Sequence, residues 1–223
     1  MVIDIHLHTA EYSSCSRMPM SQLLQRATEV GLDALCITDH ESNAWAEQSS
    51  DLAVTYNIPI FVGAELLTYE GDLLVFGLNS LPTRMLHASE LIDLVKAAGG
   101  VCIAAHPFRD NGRGMGPFES ELRVTHGIEA YNGNTADADN QRAVDIADRL
   151  SLPRMGGSDS HDTWQIGKFA TRFSSPVTSI RTSNRSGGRQ SSTRSSHSIS
   201  VMPSLSKYSS GPNSRNSSSS LSR

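Results

Sequence analysis

The first chemistry in the chain is a pair of histidines one residue apart, His6-Leu7-His8. In an extended segment, residues two apart face the same side. Two neutral imidazoles projecting together make half of a metal shell. Such a pair is common by chance and means little alone, but four further clusters change its weight. They are Thr38-Asp39-His40, Gly63-Ala64-Glu65, Ala105-His106-Pro107 and Gly157-Ser158-Asp159-Ser160-His161, and in the last of these Asp159 and His161 again stand two apart. Five of the eight histidines thus follow short apolar runs, with Glu65 and Asp159 beside them. The other three, His87, His126 and His197, fall elsewhere and read as solvated or structural. Nitrogen and oxygen donors with few thiolates suit zinc, manganese or iron and do not suit soft-metal or haem sites. Arg109 lies three residues after His106 in a Gly-rich stretch and is placed to grip a phosphate with two nitrogens, a role that competes evenly with that of a plain surface residue. Arg17 and Arg113 read first as surface residues.

The elements that must carry these residues are legible as alternating patterns. Residues 1–7, 34–38, 59–64, 72–77, 101–105, 127–131 and 154–158 are short apolar runs that read as strands. Most are continuously apolar, the mark of parallel strands covered on both faces. Residues 19–30, 89–98 and 137–150 repeat apolar positions at helical spacing, and residues 43–56 do so more weakly. This alternation argues for an α/β fold built on a parallel sheet or barrel. In a barrel, every candidate ligand named above would sit at the C-terminal strand ends, where active sites assemble. Periodicity alone does not reveal the order of the strands.

With 223 residues, 38% of them hydrophobic, the chain can bury one sizeable core and carry a tail. Charge divides sharply along it. Up to Phe173 there are 12 Lys and Arg against 23 Asp and Glu, whereas from Ser174 onward there are seven basic residues and no acid. An acidic body is a poor nucleic-acid clamp and suits a site rich in metal-binding carboxylates. Of the 50 residues from Ser174 to the end, 21 are Ser, and apolar residues are scattered singly. That composition predicts a disordered tail, residues 174–223, with a basic arm for nucleic acid or membrane, or a phosphorylation target, as the functional alternative. No apolar run is long enough to span a membrane, and no secretory leader is visible. Cys15, Cys36 and Cys102 form neither a disulfide framework nor a Cys-x-x-Cys pair. A reduced, cytoplasmic setting is expected.

Taken together and in order, Asp4-Ile5-His6-Leu7-His8-Thr9, Ile37-Thr38-Asp39-His40, Gly63-Ala64-Glu65, Ala105-His106-Pro107 and Gly157-Ser158-Asp159-Ser160-His161 resemble the motifs of the PHP (polymerase and histidinol phosphatase) family of metal-dependent phosphoesterases. The resemblance covers residues 1–173 and none of the tail. It implies a distorted seven-stranded (β/α)7 TIM-like barrel with two or three divalent metal ions. It further implies that His6, His8, Glu65 and Asp159 hold one ion, that Glu65 and His106 hold a second with Glu65 bridging, and that His40 and His161 hold a third. Two departures stand out. The family often has an Asp shortly after the second His of the first motif, where this chain has Glu11-Tyr12-Ser13-Ser14-Cys15-Ser16, so a weak or absent third site is implied. Where the family often has a His in the fourth-strand region, this chain has Gly71-Asp72-Leu73, and Asp72 is able to ligate a hard metal.

The implied chemistry is hydrolysis of a phosphate monoester of a small molecule, of nucleotide or histidinol-phosphate type. Bound ions would turn water into hydroxide near neutral pH and neutralise the phosphoryl oxygens. Glu65 would bridge the ions, His40 or His161 would protonate the leaving oxygen if not metal-bound, and Arg109 would grip the phosphate. The alternatives are a 3′ exonuclease-type phosphodiesterase, against which the acidic body and small size speak, and a degenerate, non-catalytic metal-binding protein.

Overall fold

The computed structural model describes residues 1–178 and the strand residues 199–203. All seven apolar runs form strands: β1 (Val2–Asp4), β2 (Ala34–Ile37), β3 (Ile60–Leu67), β4 (Asp72–Phe76), β5 (Val101–Ala104), β6 (Gly127–Asn132) and β7 (Arg154–Gly157). Two more follow, β8 (Phe169–Phe173) and β9 (Ile199–Pro203). Among the described residues the sheet runs β7-β6-β5-β4-β3-β2-β1-β8-β9. The three long helical stretches become α1 (Met20–Glu29), α3 (Ala88–Ala97) and α5 (Asp137–Leu150). The weaker stretch divides into a 3-10 turn (Ala44–Glu47) and α2 (Ser49–Tyr56). A single-turn helix, α4 (Glu119–Leu122), lies before β6.

Strand alternation sorts the apolar residues into layers. In β2, Leu35 and Ile37 pack with Leu23, Leu24 and Ala27 of α1, while Ala34 and Cys36 join Ile3, Ile5, Leu74, Phe76, Ile103, Ala105 and Met155 in a separate cluster. A third cluster joins Leu73, Val75, Cys102, Ala104, Ile128 and Ala130 to α3 and α5. Each fully buried leucine contributes about 2 kcal/mol of transfer free energy, and together these layers fix the strand ends in space.

Two features depart from the parallel barrel expected. The first is β4, which runs antiparallel to both β3 and β5. Only residues 68–71 separate β3 from β4, and a parallel crossover needs a dozen or more residues. The reversal has a direct consequence for the site, because it brings the first residue of β4, Asp72, to the end of the barrel where the other strands finish. The second is β8, which enters antiparallel beside β1, with Ile3 opposite Thr171. Its Thr171 hydroxyl accepts the Gly156 N–H at 2.8 Å and donates to the Gly156 carbonyl at 2.9 Å, tying β7 to β8. Beyond this wedge the segments that follow β1 and β7 meet directly. Leu7 bridges Ser160, the His8 N–H donates to the Ser160 carbonyl at 3.1 Å, and the Asp159 N–H donates to the His6 carbonyl at 2.8 Å. The sheet is thereby brought round to a nearly closed barrel.

The tail also differs in part from the featureless arm its composition suggests. Ile199–Pro203 pairs antiparallel with β8 as β9, covering an edge that would otherwise expose unpaired backbone groups. Residues 179–198 and 204–223, including His197, lie outside the described residues. Among the described residues, no helix is long and apolar enough to cross a membrane.

Candidate metal centre

The residues singled out by type and spacing converge at one end of the barrel. His6 and His8 continue the line of β1, His40 follows β2, Glu65 lies within β3, and Asp72 opens β4. His106 follows β5 by two residues and Asp159 follows β7 by two. These last two adopt left-handed backbone angles, φ 27° and 52°, unusual for residues other than glycine. Such strain persists only where surrounding bonds over-determine it. Here they do: the Asp159 N–H is held by the His6 carbonyl and the His106 N–H by Glu129 at 2.9 Å.

Glu65 is the hub. Its Oε1 lies 2.9 Å from His106 Nε2, and its Oε2 lies 3.1 Å from His40 Nδ1, 3.2 Å from His8 Nε2 and 3.3 Å from His6 Nε2. Asp159 Oδ1 lies 3.2 Å from His8 Nε2 and 3.5 Å from His6 Nε2. Asp72 Oδ2 lies 3.8 Å from His106 Nε2. Four groups of donors able to share one cation result: His6, His8 and Glu65; His6, His106 and Asp159; Glu65, Asp72 and His106; and His8, His40 and His161. All eight residues expected as ligands are in these groups. The His40 and His161 side chains alone reach solvent appreciably, at 30% and 24% exposure.

Hydrogen bonds on the far sides of the rings fix which nitrogen faces inward. His6 Nδ1–H donates to Glu129 Oε1 at 3.0 Å, His8 Nδ1–H to the Ser13 hydroxyl at 3.3 Å, and His161 Nδ1–H to the Asp159 carbonyl at 2.9 Å. Each Nε2 is then left as a bare lone pair. Asp39 accepts from the Ser13 hydroxyl at 2.7 Å and from the Thr9 N–H and hydroxyl at 2.6 and 2.7 Å, so the support extends one shell further. Behind His6, Asp4 accepts the N–H groups of His6, Ser158 and Gly167, and burial pushes its carboxyl up to about 6.

This donor set fits metal ions. His6 Nε2 and His8 Nε2 face each other at 3.0 Å, and two lone pairs at that distance need a proton or a cation between them. Asp72 Oδ1 is buried without a hydrogen-bond partner, a costly state for a carboxylate unless a cation meets it. Electrostatics agree. Burial opposes the charge on Glu65, yet the surrounding His6, His106 and His8 hold it well below the usual carboxylate range. Burial also opposes charge on His6, but Glu129, Asp159 and Glu65 lift it well above the ordinary imidazole value. Burial, reinforced by the charge on Glu65, pushes Asp72 up to about 7. Burial takes His40 down to about 4 and lowers His161. A pocket that stabilises an imidazolium at its centre is a pocket built for positive charge.

Several expected residues lie differently. Arg109 reaches the centre, but its Nη2 donates to Asp159 Oδ2 and, at 2.5 Å, to Asn132 Oδ1, and its Nε donates to Thr135 at 3.1 Å. Two of its three nitrogens are therefore committed to protein. Arg113 is no plain surface residue: its Nε donates to Asp72 Oδ2 at 2.6 Å. Arg17 is exposed. Glu11, the carboxylate nearest the expected Asp, accepts the Met20 N–H at 3.0 Å at the start of α1 and belongs to none of the donor groups. The third group consequently offers nitrogen alone. His87 pairs with Glu70 on the surface at 2.7 Å, and His126 accepts the Cys102 N–H at 3.1 Å. Sequence reasoning missed Glu129, Ser13, Asp39 and Asn132. The signal for Glu129 was present, since it is a lone carboxylate inside the apolar run Gly127-Ile128-Glu129-Ala130-Tyr131.

Comparison with known proteins places the chain in a family. The profile described as PHP domain matches residues 4–101, and the one described as PHP-associated matches residues 137–182, nine residues past Phe173. The chain belongs to the PHP family. Two proteins of Methanocaldococcus jannaschii, both uncharacterized, are similar to it. One is 27% identical over 147 residues, covering 61% of this chain and 85% of its own length, and the other is 26% identical over 181 residues, covering 78% and 71%. Among solved structures, PsfC from Pseudomonas syringae matches with a TM-score of 0.67 and 25% identity over 91% of both chains. A candidate metal-dependent phosphoesterase from Bifidobacterium adolescentis matches at 0.61 and 18%, covering 72% of this chain and 88% of that one. An amidohydrolase from Chromobacterium violaceum, with sulfate bound and no metal, matches at 0.60 and 16%, covering 71% and 87%. At these last two identities the likeness is one of fold.

Proposed function

We propose that the protein is a metal-dependent hydrolase that cleaves phosphate monoesters of a small molecule. The observation that carries this reading is the position of Glu65, one buried carboxylate touching His6, His8, His40 and His106 at 2.9–3.3 Å. His6, His8, Glu65 and Asp159 would hold one ion, Glu65, Asp72 and His106 a second, and His40, His161 and His8 a third, with zinc, manganese and iron as the metals this donor set suits. When bound, such ions acidify water and neutralise charge on the phosphoryl oxygens.

The chain's own residues do the rest. Glu65 ties neighbouring positions together. Glu129 and Ser13 hold His6 and His8 in the tautomer that turns Nε2 inward. His40 and His161, the most open of the eight, stand where a leaving group would depart. Burial keeps both neutral at rest, and whichever of them is not holding an ion would relay a proton to the leaving oxygen through its ring. Membership of the PHP family and the fold shared with a candidate phosphoesterase support the ester-hydrolysing class.

Metal analysis followed by a panel of phosphate monoesters tests the proposal. The expected result is two or more ions per chain and phosphate release that falls at least about 100-fold in Glu65→Gln and His6→Ala, as befits loss of groups that hold the reacting centre. Fewer than one ion per chain would favour a non-catalytic role. Nucleotide release from single strands, with monoesters untouched, would favour the exonuclease reading.

A further inference from the structure

Both arginines at the metal centre come from one short segment, and each spends itself on an aspartate. We infer that Arg109 and Arg113 are positioning residues that lock Asp159 and Asp72 as single-oxygen ligands, and that Arg109 does not grip the substrate's phosphate. This rests on the reading of the site as a metal centre.

Each contact occupies one oxygen of a buried carboxylate, though the two differ in which oxygen faces a histidine. Arg109 takes Oδ2 of Asp159, leaving Oδ1 toward His8 and His6 at 3.2 and 3.5 Å. Arg113 takes Oδ2 of Asp72 at 2.6 Å, the oxygen that also stands 3.8 Å from His106 Nε2, and leaves Oδ1 as the one oxygen without a partner. Both aspartates are fully buried, so neither has water to fix its rotation. A carboxylate free to turn would offer a cation one oxygen or two, and an arginine on one oxygen removes that choice.

The segment that carries the arginines is itself pinned. Its Gly116 N–H donates to the Pro107 carbonyl at 2.6 Å, the Arg109 N–H to the His106 carbonyl at 3.0 Å, and the Arg113 carbonyl accepts the Asp72 N–H at 2.9 Å. The packing leaves no room for side chains at two of its glycine contacts. A Cβ on Gly114 would sit 2.5 Å from the Pro107 carbonyl, and one on Gly71 would sit 2.7 Å from the Met115 nitrogen. A gripping arginine needs two free nitrogens on one edge of its fork. Among the described residues, Arg109 has only Nη1 without a protein partner.

The test compares wild type with Arg109→Ala, Arg109→Lys and Arg113→Ala in the full chain. Mn²⁺ affinity is measured by calorimetric titration against a competing chelator, and kcat and KM for p-nitrophenyl phosphate at saturating Mn²⁺. The expected result is a Mn²⁺ affinity about 10–100-fold weaker in both alanine variants, with KM within about 3-fold of wild type once metal saturates. Arg109→Lys, keeping one charged donor for Asp159, should recover most of the affinity. Wild-type metal binding in Arg109→Ala together with a KM raised 10-fold or more would overturn the inference in favour of a phosphate grip. Should Arg109→Ala not fold, the uncharged Arg109→Gln takes its place: Mn²⁺ affinity weaker by about 10-fold or more with KM within about 3-fold supports the inference, and unchanged affinity overturns it. The titration is read without turnover. A wild type that binds no Mn²⁺ would therefore fail the metal-centre reading, whereas binding that is indifferent to Arg109 and Arg113 fails this inference alone.

Discussion

Glu129 shows how much of a metal centre lies outside its ligands. Its Oε1 accepts from the His6 ring, and its Oε2 accepts from the His106 backbone and, at 2.9 Å, from Asn132. In Glu129→Gln one of these acceptors becomes an NH₂ facing another donor, so His6 loses its anchor or His106 its support. Metal affinity should fall about 10–100-fold while the fold persists. Titration with Mn²⁺ checks this, and undiminished affinity would show that Glu129 merely fills space. Asp72 makes a second test, by pH. Its carboxyl ordinarily titrates at 3.8 and stands at about 7 in the folded, metal-free chain. Between those values the folded chain holds a proton that the unfolded chain has released. The associated stability is fully present below about pH 4 and is lost as pH rises through about 7, by at most ~4 kcal/mol. Metal-free Asp72→Asn escapes that loss, so urea midpoints measured from pH 4 to 7.5 should show the variant gaining on wild type as pH rises. The eight candidate ligands were named from donor type, from two-residue spacing at His6–His8 and Asp159–His161, from position after apolar runs and, for Asp72, from the resemblance to the PHP motifs. Their supports were not, because Glu129 and Ser13 acquire meaning only from partners 123 and five residues away.

At the scale of elements, reading succeeded where periodicity was strong and failed where connection length decided. α5 coincides with residues 137–150, its apolar face being unambiguous. The reversal of β4 was missed because a continuous apolar run reads the same in either direction. The telling feature was the lack of a helical pattern between the third and fourth runs. β8 was missed because Phe169-Ala170-Thr171-Arg172-Phe173 alternates poorly and carries a charge. The start of α1 shows tertiary context supplying what local sequence lacks. Pro19 offers no capping side chain, and Glu11 reaches in to accept the Met20 N–H. Glu11→Ala should cost about 1 kcal/mol by denaturation, the usual worth of a cap, and leave metal content unchanged. A drop in bound metal would return Glu11 to the ligand set.

A centre assembled from strand ends this far apart in sequence would hold cations only when folded, which would link metal and stability. With free metal at 100 times its dissociation constant, the fold gains about 2.7 kcal/mol. For a chain of this size that corresponds to roughly 5–10 °C in Tm. Thermal melts with Mn²⁺ and with a chelator measure it, and coincident melts would mean that the folded chain binds metal no better than the unfolded one. The acidic body fits this picture, because part of its excess negative charge sits at the metal centre. Charge balance was plain from composition. The way the sheet is brought round was not, because it depends on the pairing of segments some 150 residues apart, in the register that sets Leu7 beside Ser160.

That pairing carries a consequence for how the protein comes into being. The stretches that lace the two ends of the sheet together, around His6 to His8 and Asp159 to Ser160, are also those that carry three of the donors. A chain emerging from the ribosome has made its first imidazoles long before the strand they need, so no half-built version of the centre can capture an ion in finished form. Once β7 has been made, an ion held by His6, His8 and Asp159 would tie the first strand of the barrel to the seventh.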